Sequence, residues 1–115
     1  MLIEDDQTMV SLLTTLLNLE GYLVKAPVNY NLDGYLNAIL EERPQIALVD
    51  VNLRTGSGLD LLREIRQEPE INETRILMAS GFDLQDECIQ AGADGFIQKP
   101  FMPEELIKLI RKTIQ

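Results

Sequence analysis

Four short apolar runs in this chain each end in side chains that could handle phosphate or a divalent metal. The first run leads into the acidic triplet 4–6, and the second ends at Asp50. The third run ends at Ser80 and the fourth at Lys99. Carboxylates bind hard divalent cations, while a hydroxyl and an ammonium group can both bind phosphate oxygens. These residue types together indicate chemistry at phosphorus.

The elements between these residues must bring them together. Short apolar runs between helical patterns are typical of strands in a buried parallel sheet. The spacing predicts strands at residues 2–3, 22–25, 46–50, 76–80 and 96–98, followed in turn by helices at about 9–20, 32–43, 59–68, 84–91 and 103–114. In such sheets, ligands bind beyond the carboxyl ends of the strands. We therefore expect the polar residues that end the four apolar runs to lie close together at one edge of the sheet.

A regular (βα)₅ alternation implies right-handed crossovers and helices on both faces of the sheet. We therefore predict an α/β fold, a three-layer sandwich built on a doubly wound parallel sheet. The chain has 115 residues, is 45% hydrophobic and shows no internal repeat or low-complexity linker. We expect a single domain over residues 1–115.

The composition excludes several functions. A net charge of −9 argues against direct nucleic-acid binding, which needs a basic face. The chain has no histidine, which removes Ser-His-Asp and Cys-His catalysis and most zinc sites, and means that it can only receive phosphate from a phosphohistidine elsewhere. Cys88 cannot form an internal disulfide and is expected to be a buried hydrophobe. Without a membrane-length apolar stretch or a leader pattern, we expect a cytoplasmic protein that does not bind membranes.

The acidic residues themselves indicate a metal. Glu4, Asp5 and Asp50 would repel one another if all were ionised and unpaired. A Mg²⁺ ion, or Mn²⁺, would relieve that repulsion and also neutralise and orient an incoming phosphoryl group. An aspartate can attack phosphorus to give an acyl phosphate, and Ser80 and Lys99 are suitable partners for the transferred oxygens.

These motifs resemble the receiver domains of two-component response regulators over essentially the whole chain. The motifs that carry the resemblance are Glu4-Asp5-Asp6, Leu48-Val49-Asp50 with Gly58 after it, Ser80-Gly81, Ala91-Gly92-Ala93-Asp94-Gly95 and Lys99-Pro100-Phe101. The resemblance implies a flavodoxin-like receiver fold with strand order 2-1-3-4-5. It also implies a phosphorelay signalling domain that catalyses only its own phosphorylation and dephosphorylation.

The resemblance assigns a role to each residue of the reaction. Asp50 would be the phosphoacceptor, assisted by Ser80 as the switch hydroxyl and by Lys99 as the phosphate-binding lysine. Phe96 would be the second switch residue, at a position where the family often has tyrosine. The Lys99–Pro100 peptide bond would be cis.

The resemblance also implies a metal site and partners. The Mg²⁺ site would comprise Asp5 as a direct ligand, Glu4 acting mostly through water, Asp50, and the backbone carbonyl of Asn52. A histidine kinase or histidine phosphotransfer protein would donate the phosphoryl group. A downstream effector protein or a fused output domain would respond to it, and a phosphorylation-dependent homodimer is a further partner that the resemblance allows.

Four features depart from the family pattern. Only three residues precede Glu4, so we expect the start of the first strand to be trimmed or frayed. Arg54 replaces the usual proline, which we expect to alter the stiffness of the loop rather than the chemistry. Phe96 lacks the tyrosine hydroxyl. The interval 80–91 is about one helical turn short, so the fourth helix should be short or irregular, with Phe82 at the mouth of the site.

Two alternatives remain open from the sequence. The first is a receiver-like interaction module that signals without phosphate, which the altered fourth helix favours and the complete set of site residues opposes. The second is an aspartate-nucleophile phosphatase, because Glu4-x-Asp6-x-Thr8 faintly echoes the haloacid dehalogenase signature Asp-x-Asp-x-Thr. In that case glutamate would stand where the nucleophile is needed.

Overall fold

The computed structural model describes residues 1–28 and 31–115 and has the predicted α/β architecture. The strands are β1 (Leu2–Ile3), β2 (Ile46–Asp50), β3 (Asn52–Leu53), β4 (Gly56–Ser57), β5 (Arg75–Ser80) and β6 (Gly95–Gln98). The helices are α1 (Gln7–Leu19), α2 (Leu32–Glu42), α3 (Gly58–Gln67), α4 (Gln85–Gln90) and α5 (Pro103–Ile114). No helix in the described ranges is long and apolar enough to span a bilayer.

The central sheet is parallel, with strands in the order β1-β2-β5-β6. Strands β3 and β4 form a separate antiparallel hairpin directly after β2, which the sequence patterns did not predict. In the register of the sheet, Ile3 pairs with Val49, Asp50 with Ala79, and Ser80 with Gln98. The carboxyl ends of all four strands therefore lie at the same edge, as the convergence argument requires.

The predicted strand at residues 22–25 is wrong as a regular strand. The segment is extended and runs beside β1, where the Leu2 N–H donates to the Lys25 carbonyl at 2.8 Å. Its side chains alternate as in a strand: Leu23 is exposed, whereas Tyr22, Val24 and Ala26 pack on the core. The segment thus occupies the outer place in the order 2-1-3-4-5, but β1 has only two residues with which a ladder could form.

Two apolar clusters cover the two faces of the sheet. Neighbouring residues of a strand point to opposite faces, so Leu48 packs with α1 and α5, while Val49 packs with α2 and α3. Helices therefore lie on both sides, which confirms the doubly wound fold. Cys88 is fully buried in the second of these clusters, as expected for a small hydrophobe.

The helix that departs most from the usual pattern is α4. It has only six residues, which agrees with the prediction of a short fourth helix. In the sequence, Asp83 with Asp86 three residues later suggests the start of this helix, but the residue before the helix is Leu84, and no side chain caps it. By contrast, the Asp6 carboxylate caps α1 by accepting from the Thr8 and Met9 N–H groups at 3.0 and 3.2 Å.

Gly58 is the point where α3 meets the end of β2. Its N–H donates to the Val51 carbonyl at 2.7 Å, and a Cβ added here would lie 2.1 Å from the Asp50 carbonyl oxygen. Backbone atoms cannot move aside as a flexible side chain would. The close approach of α3 to Asp50 therefore depends on glycine at this position.

We predict that Gly58→Ala lowers the free energy of unfolding by about 2–4 kcal/mol, because it forces α3 and the Asp50 backbone apart. Urea unfolding followed by circular dichroism measures this change. Gly81→Ala is the matched control, since a Cβ there meets nothing within 4 Å. Equal stabilities for the two variants would contradict this account of the junction.

Candidate functional site

Each strand of the central sheet contributes a polar residue at its carboxyl end. Glu4 follows β1, Asp50 ends β2, Ser80 ends β5, and Lys99 follows β6. Glu4, Asp50 and Ser80 are the buried polar side chains of the described chain, with exposed fractions of 6%, 8% and 0%. Burial of two carboxylates is costly unless a positive charge or hydrogen bonds compensate it.

Lys99 supplies that compensation. Its Nζ donates to Glu4 Oε1 at 2.5 Å and to Asp50 Oδ2 at 3.1 Å. The remaining Asp50 oxygen, Oδ1, accepts from the Asn52 N–H at 3.2 Å. One ammonium group therefore joins two strand ends that are distant in sequence, and both Asp50 oxygens have a donor.

Lys99 does not fully offset the cost of burying Glu4, as the pKa of Glu4 indicates. The pKa of Glu4 is raised to about 7, because burial and then the neighbouring Asp50 carboxylate raise it and Lys99 only partly opposes the rise. For Lys99, burial alone would lower the pKa, but its hydrogen bonds to Glu4 and Asp50 outweigh burial and the pKa is raised. The lysine is thus held as a cation, while the fold disfavours the ionised form of Glu4.

Asp5 is half-buried and faces an open cleft. Its Oδ2 accepts from the Arg54 N–H at 2.6 Å, which ties the loop after β3 to the loop after β1. The cleft has a volume of about 620 Å³. Its lining includes the site residues Glu4, Asp5, Asp50, Asn52 and Lys99, together with Asp6, Gln7, Thr8, Met9 and Arg54.

The donor set of this cleft suits a hard cation such as Mg²⁺. Glu4, Asp5 and Asp50 bring carboxylate oxygens to one cavity, where Lys99 is bonded to two of them, Glu4 and Asp50. Within residues 1–28 and 31–115, no three acidic, histidine or cysteine side chains form a ready-made metal cage. Mg²⁺ commonly takes only one or two carboxylates and completes its shell with water and phosphate oxygens, so the residues fit this ion.

The two predicted switch residues, Ser80 and Phe96, are not among the residues that line the cleft. The Ser80 hydroxyl oxygen accepts from the Phe82 N–H at 3.1 Å, and the Ser80 carbonyl accepts from the Lys99 N–H at 2.8 Å. Phe96 is half-buried against the core on the neighbouring strand. The Lys99–Pro100 bond is cis, which is the geometry that the resemblance implies. The Phe82 ring is 68% exposed, and the residue is not part of the cleft lining.

Two features of the site were outside the reach of sequence reasoning. The contact of the Arg54 backbone with Asp5 depends on the path of the β3–β4 hairpin, and no local pattern signals it. The double contact of Lys99 depends on the register of strands that lie far apart in the chain. Asp6 and Thr8, which resemble part of a phosphatase motif, lie at the N-terminus of α1, where the Asp6 carboxylate accepts a hydrogen bond from the Thr8 N–H.

Comparisons with known proteins agree with this geometry. The family model described as "Response regulator receiver domain" matches residues 1–111. The chain belongs to this family. It is a receiver domain of two-component signalling, and its doubly wound sheet is the flavodoxin-like fold of receivers.

Individual relatives show the extent of the likeness. The chain is 33% identical to the transcriptional regulatory protein CpxR of Klebsiella pneumoniae, a match that covers all of this chain and 48% of CpxR. It is 28% identical to the DNA-binding response regulator MtrA of Mycobacterium tuberculosis, covering all of this chain and 50% of MtrA. The chain thus spans about half the length of these curated relatives.

Solved structures give the same family. The receiver domain of NtrX from Brucella abortus superposes with a TM-score of 0.83 at 26% identity, covering 98% of this chain and 95% of that one. A two-component response regulator of the LuxR family from Aurantimonas superposes with a TM-score of 0.86 at 25% identity, covering 98% and 81%. Receiver domains are regulatory signalling domains.

We predict that ionisation of Glu4 destabilises the metal-free protein. Its pKa in the fold, about 7, lies above the ordinary value of 4.5, so the folded state binds the proton more tightly than the unfolded state. Protonated Glu4 therefore stabilises the fold fully below about pH 4.5, and this stabilisation is lost as the pH rises through about 7. The free energy of unfolding should fall by roughly 1–3 kcal/mol over this range.

Urea unfolding in EDTA at about pH 5.5 and about pH 8 tests this, because the chain has no histidine to titrate in that range. Burial lowers the pKa of the Met1 ammonium to about 6, which adds a pH dependence of opposite sign. The difference between the native protein and Glu4→Gln isolates the Glu4 contribution, since both share Met1. If the two proteins changed in parallel with pH, the raised pKa of Glu4 would be contradicted.

Proposed function

We propose that this receiver domain takes a phosphoryl group onto Asp50, from a histidine kinase or a histidine phosphotransfer protein, in a reaction that requires Mg²⁺ or Mn²⁺. The observation that carries the proposal is the environment of the Asp50 carboxylate. It is buried at a strand end, bonded to Lys99 and to the Asn52 N–H, and beside the acidic cleft. We also propose that residues 1–115 form one receiver domain.

The transfer is a direct displacement at phosphorus. An Asp50 carboxylate oxygen attacks the phosphorus atom and forms a P–O bond, while the bond from phosphorus to the donor breaks. The electron pair of the broken bond leaves with the donor, as the imidazole nitrogen of histidine or as a carboxylate from an acyl phosphate. The product is an acyl phosphate on Asp50.

The remaining residues position and stabilise the transferred group. Lys99 is already bonded to Asp50 Oδ2, so its ammonium can move to the phosphoryl oxygens with little displacement. Asp5 and Asp50 would bind the metal directly, Glu4 would act mostly through water, and Asn52 would offer its backbone carbonyl. When bound, the ion neutralises developing charge on the phosphoryl oxygens.

The response to phosphorylation should begin at Ser80. Its hydroxyl would turn from the Phe82 N–H toward the phosphoryl group, and Phe96 would repack into the space behind it. Because the Ser80 carbonyl is bonded to the Lys99 N–H, the ends of β5 and β6 should move together. The short α4 makes the displayed surface unlike the usual one, so partner binding should depend more on α5.

The output of this domain is inferred from its relatives. CpxR is named a transcriptional regulatory protein and MtrA a DNA-binding response regulator, and each is about twice as long as this chain. We propose that the domain acts on a fused output domain or a separate effector protein, with phosphorylation-dependent homodimerisation as a means of control. Its own net charge of −9 does not suit direct binding to nucleic acid.

We predict that acetyl phosphate with Mg²⁺ adds one phosphoryl group to the protein and that Asp50→Asn takes none. Intact-mass spectrometry measures the addition. Omission of Mg²⁺ should abolish it, because the acidic cleft then repels the anionic donor. Equal labelling of Asp50→Asn would refute the assignment of Asp50, and no labelling of the native protein would favour the phosphate-independent module.

We predict that Asp5→Asn weakens Mg²⁺ binding more than Glu4→Gln does. Asp5 faces the cleft and would bind the ion directly, whereas Glu4 is bonded to Lys99 and would act through water. Calorimetric titration of the two metal-free variants with Mg²⁺ shows which of them binds the ion more weakly. If Glu4→Gln were the more damaging change, the assignment of the direct ligand would move to Glu4.

A further inference from the structure

Arg54 lies at the mouth of the acidic cleft, in a position where the family usually has proline. It lines the cleft of about 620 Å³ and also an adjoining cavity of about 290 Å³ that Glu4, Asp5, Gln7 and Val28 share. From the sequence, this replacement is expected to change the stiffness of the loop. The location of Arg54 between two acidic cavities indicates a role in the chemistry as well.

The guanidinium of Arg54 differs from every other guanidinium in the described ranges of the chain. Among residues 1–28 and 31–115, each of the other five arginines donates a side-chain hydrogen bond, whereas Arg54 donates only through its backbone N–H. The bonds of the others are Arg43 to Glu70, Arg63 to Asp60, Arg66 to Asp94, Arg75 to the Thr113 carbonyl and Arg111 to Glu20. Arg54 is also exposed, so its charge is available to a ligand.

The backbone at Arg54 is nevertheless fixed. Its N–H donates to Asp5 Oδ2 at 2.6 Å, and the residue directly follows β3 in the small β3–β4 hairpin. The side chain therefore starts from a defined point beside Asp5 and can sample positions over the cleft. A fixed backbone, with a side chain that has no hydrogen bond to the described part of the chain, is suited to reversible binding of a ligand.

The charges of the cleft explain why such a residue would matter. A phosphodonor with two negative charges must approach Glu4, Asp5 and Asp50, and the Lys99 charge is already shared between two of these carboxylates. An additional positive charge at the entrance would attract the donor. Because the Arg54 backbone is held beside Asp5, the same charge would also repel a divalent cation there.

We propose that the Arg54 guanidinium is a specificity-determining group that binds the anionic phosphodonor at the mouth of the cleft and, through the same charge, weakens Mg²⁺ binding at Asp5. This inference rests on the proposed function. It assigns to one residue two effects of opposite sign, which a purely structural loop residue would not produce.

The test compares Arg54→Gln, Arg54→Lys and the control Arg63→Gln, which removes an exposed charge on α3 away from the cleft. Phosphorylation rates are measured by intact mass with acetyl phosphate and with phosphoramidate, which carries less negative charge, at about 0.02 M and about 0.5 M salt. Mg²⁺ affinity is measured by calorimetry without a donor. These binding data do not depend on phosphorylation.

We expect Arg54→Gln to slow phosphorylation by acetyl phosphate about 2- to 5-fold at low salt, with a smaller loss for phosphoramidate and at high salt. Mg²⁺ should bind this variant about twofold or more tightly. Arg54→Lys should keep most of the native rate, because it retains the charge, and Arg63→Gln should behave as the native protein.

Equal rates for Arg54→Gln and Arg63→Gln would overturn the inference. So would a loss that is the same at both salt concentrations, or weaker Mg²⁺ binding by Arg54→Gln, since each would indicate a positional role for the loop. If the native protein accepts phosphate from neither donor, the proposed function fails. The Mg²⁺ titration then still decides whether the charge of Arg54 acts on the cleft.

Discussion

The burial of two carboxylates around a single ammonium group is the constraint on which the rest of this structure depends. Glu4 and Asp50 come from different strands, and only the parallel register of β1 and β2 brings them together. Neither would tolerate burial without a cation, and Lys99 reaches both only because β6 ends at the same edge of the sheet. The polar site and the apolar sheet therefore depend on the same strand arrangement. The strands place the two carboxylates side by side, and Lys99 reduces the energetic cost of burying them there.

The site combines a rigid scaffold with a less constrained side. Asp50 is fixed at its backbone by the close approach of Gly58 and at its carboxylate by Asn52 and Lys99. On the other side, Ser80 leads into a segment whose helix has six residues and no side-chain cap. A phosphoryl group on Asp50 would add charge next to this fixed backbone. The segment from Ser80 into α4 is the part that could rearrange in response at low energetic cost. The contact of Lys99 with Glu4 and Asp50 offsets part of the cost of burying these two carboxylates.

The sequence predicted those features that follow from one strand or one helix at a time. The places of Asp50 and Ser80 at strand ends follow from the apolar runs that they terminate, and the short α4 follows from the number of residues between Ser80 and Ala91. Residues 22–25 do not form a regular strand, because their neighbour β1 has only two residues with which to pair. The length of β1 cannot be inferred from the pattern of residues 22–25. The β3–β4 hairpin and the contact of Arg54 with Asp5 depend on the path of a loop in three dimensions, for which the local pattern carries no signal. Asp83 looked like a helix cap, but the chain enters α4 one residue later.

The central claim is that a phosphoryl group on Asp50 is read out through Ser80 and the strand that leads to Lys99. Hydrogen exchange with Mg²⁺ and the phosphoryl mimic beryllofluoride tests this most directly, with Asp50→Asn as the control. The account predicts altered protection between residues 80 and 99, linked by the Ser80 to Lys99 backbone bond, and no change in the control. Changes confined to α1, with none between residues 80 and 99, would contradict it.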